Sequence, residues 1–184
     1  MDTQSQKIVD QLRNHFARFT RILYDTSVPM DVVTREIFPY LSSNVEFLDP
    51  LVRVRGWRTF EKGRRGFHCT FKFDFDIAQV GIQLDERGER GRAMVDGIMN
   101  LRSLIIYTYP LRTMLVYDFE LKSEEPGLTI TRIEELWSFG DLIANVPMVG
   151  GLYDAARRAN GHLILGLFGL SCAIAKRLRP SFYY

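Results

Sequence analysis

Phe71, Phe73, Phe75 and Ile77 alternate with Lys72, Asp74 and Asp76. A period of two sends the two sets to opposite faces of an extended chain, so this stretch reads as a half-buried strand. Three more strand-length runs follow: Arg92 to Tyr107, Thr113 to Lys122 and Leu128 to Ser138. Their links are turn chemistry, DERGERG at 85–91 and EEPG at 124–127. Successive strands on short links commit this half of the chain to an antiparallel sheet.

The first half has the helical period. Ile8, Leu12, Phe16, Phe19 and Leu23 recur at three- and four-residue spacing, which predicts an amphipathic helix over 4–24. A shorter helix is expected from Met30 to Phe38, with Pro29 suited to its first turn and Pro39 near its stop. NVEFLDP (44–50) alternates like a short strand, and Gly56 opens a third helix from Trp57 to about Gly66. From Asp141 the chain returns to helix, interrupted by Pro147 and the Gly150–Gly151 pair. Helices first and hairpins later make an α+β layout. The expected architecture is a cone-shaped, curved antiparallel sheet with helices on its concave face around a funnel-shaped cavity. An apolar C-terminal helix is added to it. The expected division is a domain over 1–150 and a helical extension over 151–184.

Composition excludes several classes. The 184 residues carry 24 basic and 22 acidic side chains, so there is no electrostatic case for nucleic acid as a partner. Two cysteines and three histidines in no ligand-type spacing argue against a disulfide framework and against a metal site. The polar start MDTQSQKIVDQL lacks the build of a secretory signal, so a cytoplasmic location is expected. Leu163 to Ala175 is thirteen residues without a charge, followed by Lys176, Arg177 and Arg179. A spanning helix wants about 20 apolar residues. The run is read first as a buried or lid helix. The alternatives are an oligomer seam, hence a homodimer, and an interfacial anchor, hence membrane-surface contact.

The element order, the segment VEFLDPLVRVRG (45–56) and the closing strand ITRIEELWSF (130–139) resemble the NTF2-like superfamily. That group includes SnoaL-like polyketide cyclases, ketosteroid isomerase and limonene epoxide hydrolase. The resemblance covers roughly residues 5–145, and the tail beyond Gly150 is similar to a fungal SigF-like, secondary-metabolism branch. It implies a cofactor-free enzyme acting on an apolar small molecule, by epoxide hydrolysis or epoxide-opening cyclisation. The superfamily's epoxide hydrolase has a water-activating carboxylate on the closing strand, a second carboxylate and an arginine on an adjacent long strand, and water-holding groups on the short strand. The resemblance places Glu135 at the first position, Asp96 near the second, and Asp49 and Phe47 at the water-holding positions. Met94 stands where the family's arginine would be, and Phe47 cannot hold water as a tyrosine could.

Asp49, Asp96 and Glu135 are therefore the expected catalytic groups. Opening an epoxide without a metal needs a base for the water and an acid for the leaving oxygen. Two neighbouring carboxylates resist joint ionisation, so one can stay protonated and serve as the acid. The expected substrate-binding residues are Phe47, His68, Asn100, Arg102, Tyr107, Asp118 and Trp137. Each has a structural alternative. Asp49 before Pro50 can make an Asx turn. Glu135 can pair with Arg132. Asn100, Arg102 and Asp118 can face water, and Tyr107 and Trp137 can be packing. As a whole, the alternatives to a hydrolase or cyclase are an isomerase on the same scaffold and a non-catalytic apolar-ligand-binding or dimerisation module.

Overall fold

The protein is described from a computed structural model covering residues 3–102, 108–122, 127–138, 140, 143, 149–156 and 158–160, with the side chains of 3–5 and 67–70 outside the description. Two compact units divide the chain, 1–141 and 142–184. In the second, residues 149–156 and 158–160 are helical, and the uncharged run 163–175 lies outside the described residues. No helix among the described residues is long and apolar enough to cross a membrane.

The first unit begins with α1 (Thr3–Leu23) and α2 (Met30–Glu36), followed by a 3-10 turn at Phe38–Tyr40. Then come β1 (Leu41–Leu48), β2 (Arg53–Arg55), α3 (Trp57–Thr70), β3 (Lys72–Leu84), β4 (Arg90–Arg102), β5 (Thr108–Leu121) and β6 (Leu128–Trp137). The strands form one curved, unclosed sheet in the order β2-β1-β6-β5-β4-β3. The four long strands run antiparallel as expected. The sheet as a whole is mixed, because β1 joins β6 in parallel. Parallel neighbours need a long connection, and here the whole of α3 and β3–β5 supplies it.

α1 packs on β3 and β4, and α3 packs on β1 and β2. Phe16, Phe19, Leu23, Leu115, Tyr117, Phe119, Ile130 and Ile133 fill the space between α1 and the sheet. The helical stripe differs from expectation at its start. Val9 is buried and Ile8 is 40% exposed, since the face in contact with the sheet is turned by one residue there.

Strand alternation decides which side chains reach the interior. On β4, Ala93, Val95 and Met99 are buried. Gly97 shares that face, and a Cβ there would lie 2.2 Å from the Asp76 carbonyl oxygen and 2.5 Å from the Phe75 ring. The inner row of β4 is therefore small and apolar, and its polar residues point the other way. On β6, Ile133 faces inward and aligns with Phe47 of β1 and Tyr117 of β5. Glu135, two residues on, shares that face.

Candidate active site

The end of α1 is tied to the start of β3. The Thr26 backbone N–H donates to the Phe73 carbonyl at 2.9 Å, and the Phe73 N–H donates to the Thr26 hydroxyl at 3.0 Å. This knot fixes Tyr24 beside Phe75, with ring centroids 5.9 Å apart. On α3, Phe60 and Arg64 are four residues apart and so share one face. Phe60 packs on Phe47, and Arg64 Nε donates to the Leu23 carbonyl at 2.9 Å, one of the acceptors a helix leaves open at its C-terminus. Its guanidinium lies 4.9 Å from the Phe73 ring centroid.

These contacts enclose a cavity of about 180 Å³. Its apolar wall includes Leu23, Phe47, Val54, Phe60, Phe73 and Met99, and its polar groups are Tyr24, Asp49, Thr59, Arg64 and Glu135. The Tyr24 hydroxyl donates to Glu135 Oε1 at 2.5 Å. Burial pushes the Glu135 carboxyl up to about 7, and the nearby Asp49 charge adds to the rise. Hydrogen bonds from Tyr24 and Trp137, and the charge of Arg64, act in the opposite direction. Burial also raises the Tyr24 phenol well above its ordinary range, with Glu135 the next cause. Asp49 follows β1, and its Oδ1 accepts from the Leu51 and Val52 N–H groups at 2.6 Å each. The turn and the cavity thus both involve this residue: Oδ1 holds the loop, and the side chain lines the cavity. Beneath the cavity Thr20 and Tyr117 hydroxyls lie 3.0 Å apart, and burial raises the Tyr117 phenol too.

The structure brings Phe47, Asp49 and Glu135 together and places Asp96, Asn100, Arg102 and Asp118 away from them. Asp96 lies on the opposite face of β4, 3.5 Å from Arg112. Asn100 donates to Asp74 and Asp76, and Arg102 pairs with Asp74, also on that outer face. Asp118 is bound by Arg92 there at 2.7 Å. These four expectations are corrected for one reason. Alternation groups residues by face but does not name the face, and the apolar rows of β4 (Ala93, Val95, Met99) and β5 (Leu115, Tyr117, Phe119) claim the interior. Trp137 is on the inner side of β6 beside Glu135, outside the cavity's lining residues. His68 falls within the last turn of α3 and its side chain lies outside the described residues, as does Tyr107 entirely.

Sequence reasoning missed Tyr24 and Arg64. The signal for Arg64 was a cation four residues after Phe60 on the stripe that should be apolar. Tyr24 had a weaker one, a phenol directly after the last residue of the α1 stripe.

Comparison with solved structures gives matches with low sequence identity and broad coverage. An NTF2-like protein with a cystatin-like fold from Novosphingobium aromaticivorans is 10% identical at TM-score 0.52, covering 71% of this chain and 82% of that one. This is the NTF2-like fold. An LEH-like epoxide hydrolase of M. tuberculosis has 13% identity and TM-score 0.54 over 77% of this chain and 92% of its own. A protein described as a candidate scytalone dehydratase from N. aromaticivorans has 10% identity and TM-score 0.57 over 74% and 89%. No family model matches the sequence, and no curated protein matches it.

The NTF2-like scaffold places a weakly acidic carboxyl, a carboxylate, a phenol and a guanidinium around one apolar space. Such a set can hold and move protons at a bound molecule while its walls exclude water.

Proposed function

We propose that the protein is a cofactor-free acid/base enzyme that opens a carbon–oxygen bond of a neutral, apolar small molecule, an epoxide in the first instance. The observation that carries this reading is the Glu135 carboxyl, half-buried on the wall of an apolar cavity, hydrogen-bonded to Tyr24 and pushed up to about 7. A structural carboxylate is usually exposed and paired with a cation. One lodged beside a cavity with its proton retained near neutral pH is suited to give that proton away.

In the proposed step Asp49 takes a proton from water, or from a substrate hydroxyl in a cyclisation. The oxygen so activated forms a bond to an epoxide carbon, and the carbon–oxygen bond breaks. The leaving oxygen takes its proton from Glu135, directly or through the Tyr24 hydroxyl, which Glu135 reprotonates. Asp49 ends protonated and Glu135 ionised, and proton return from one to the other resets the site. Asp49 and Arg64 carry opposite charges, so a protonated Glu135 leaves the lining groups without net charge. That favours a neutral substrate, because a charged group in an apolar cavity loses its hydration. The likeness to an epoxide hydrolase is consistent with this chemistry, although the same fold serves other reactions.

The test is turnover of a set of small apolar epoxides, followed by diol or cyclic-ether formation. The wild type is expected to convert at least one of them, and Glu135→Gln and Asp49→Asn are expected to lose that activity while keeping the fold. Conversion at the wild-type rate by both variants would refute the carboxylate mechanism. Ligand binding by the wild type without any conversion would make the protein a carrier.

A further inference from the structure

Arg64 is 7% exposed, yet an arginine on a surface helix ordinarily extends its stem and keeps its head in water. Its neighbour Arg65 does so, with a 53% exposed side chain paired to Glu61 one turn back. Arg64 instead turns inward, donates to the Leu23 carbonyl and lies over Phe73. The bond to the Leu23 carbonyl does not by itself require a permanent charge, since a neutral donor makes the same bond. A buried cation is costly unless negative charge faces it.

Groups that carry negative charge, or acquire it on losing a proton, lie around it. Tyr24 and Asp25 at the end of α1 and Glu135 on β6 act on its charge, Asp49 after β1 lines the same cavity, and Tyr117 of β5 and Trp137 of β6 lie beside Glu135. We infer that Arg64 is a positioning residue of this cavity, whose guanidinium governs where the proton of the Tyr24–Glu135 pair resides as well as closing the end of α1. The inference rests on the acid/base reading of the cavity. The negative charge that forms on Glu135 when it gives up its proton is met by a cation already in place. The benefit is therefore larger after proton transfer than before it, which is the condition for accelerating a step.

The deciding variant is Arg64→Gln, which keeps an N–H donor for Leu23 and removes the charge. Arg64→Lys keeps the charge and is the control. The Glu135 carboxyl is followed by 13C NMR in protein labelled at glutamate, with no substrate present. Arg64→Gln is expected to move the Glu135 titration up by about one pH unit, and Arg64→Lys to leave it close to the wild-type value. If Arg64→Gln does not move it, or if Arg64→Lys moves it as far as Arg64→Gln, the guanidinium is only a structural cap and the inference is overturned. Should Arg64→Gln not fold, a Lys variant that titrates as the wild type supports the inference and one that shifts like an uncharged residue overturns it. Because the readout needs no substrate, a shifted titration together with absent epoxide conversion overturns the proposed function and leaves this inference standing.

Discussion

The two faces of the sheet handle charge in opposite ways. On the outer face Arg92 meets Asp118, Arg112 meets Asp96 and Arg102 meets Asp74, each cation across a strand boundary from its partner. Water reaches all of these side chains, so the pairs are individually weak and replaceable. On the inner face Glu135 has a phenol, a nearby carboxylate and a buried guanidinium for company, with apolar side chains closing the rest of the space. The same residue types form cross-strand ion pairs on one side and gather around an apolar cavity on the other. The difference is access to water.

The sharpest way to break this comparison is to neutralise one carboxyl on each face. Glu135→Gln should lower turnover about 10²–10⁴-fold, as expected when a general acid is removed. Asp96→Asn should leave turnover unchanged in the same assay. Equal losses for the two would show that the faces are not distinct.

Stability against pH gives the next largest effect. The folded-state pKa of Glu135 lies near 7, above the value of about 4.5 of an ordinary glutamate. The folded state therefore holds this proton more tightly, and stability falls as pH rises from about 4.5 through 7, by roughly 3 kcal/mol at most. Glu135→Gln should lack that fall. Its melting temperature should overtake the wild type's above pH 7 and differ little below pH 5. Parallel melting curves across this range would mean that Glu135 is solvated like its outer-face counterparts.

Packing supplies a third contrast. Gly97→Ala would put a methyl group into the Phe75–Asp76 backbone contact, at a cost of about 1–3 kcal/mol. A chemical-denaturation midpoint close to wild type would show that β3 and β4 can separate locally. The smallest effect is reserved for the outer face. Asp118→Asn, which weakens the pair with Arg92, should cost under about 1 kcal/mol in the same measurement.

The sheet was legible because alternation is a local property. The Phe71–Ile77 pattern, the turns at 85–91 and 124–127 and the closing strand each announce themselves within a few residues. The alternation of NVEFLDP at 44–50 was legible for the same reason. What alternation leaves open is the side on which the core lies. For β4 the answer was present in Ala93, Val95, Gly97 and Met99, but the pull of Asp96 toward a carboxylate pair outweighed it. The parallel pairing of β1 with β6 was not legible, because it joins residues about 85 positions apart and depends on the path of everything between them. Tyr24 and Arg64 escaped for a related reason. Each enters the site from a helix whose periodicity marks a buried stripe without saying what that stripe meets.

The knot between Thr26 and Phe73 also bears on how the site responds to a ligand. Tyr24 sits two residues from that knot, on a helix end whose carbonyl is held by Arg64. Little rotational freedom remains for the phenol to lose when the cavity fills. Binding should then carry a small ordering penalty, and the amides of Thr26 and Phe73 should already be slow to exchange with solvent deuterium before any ligand arrives.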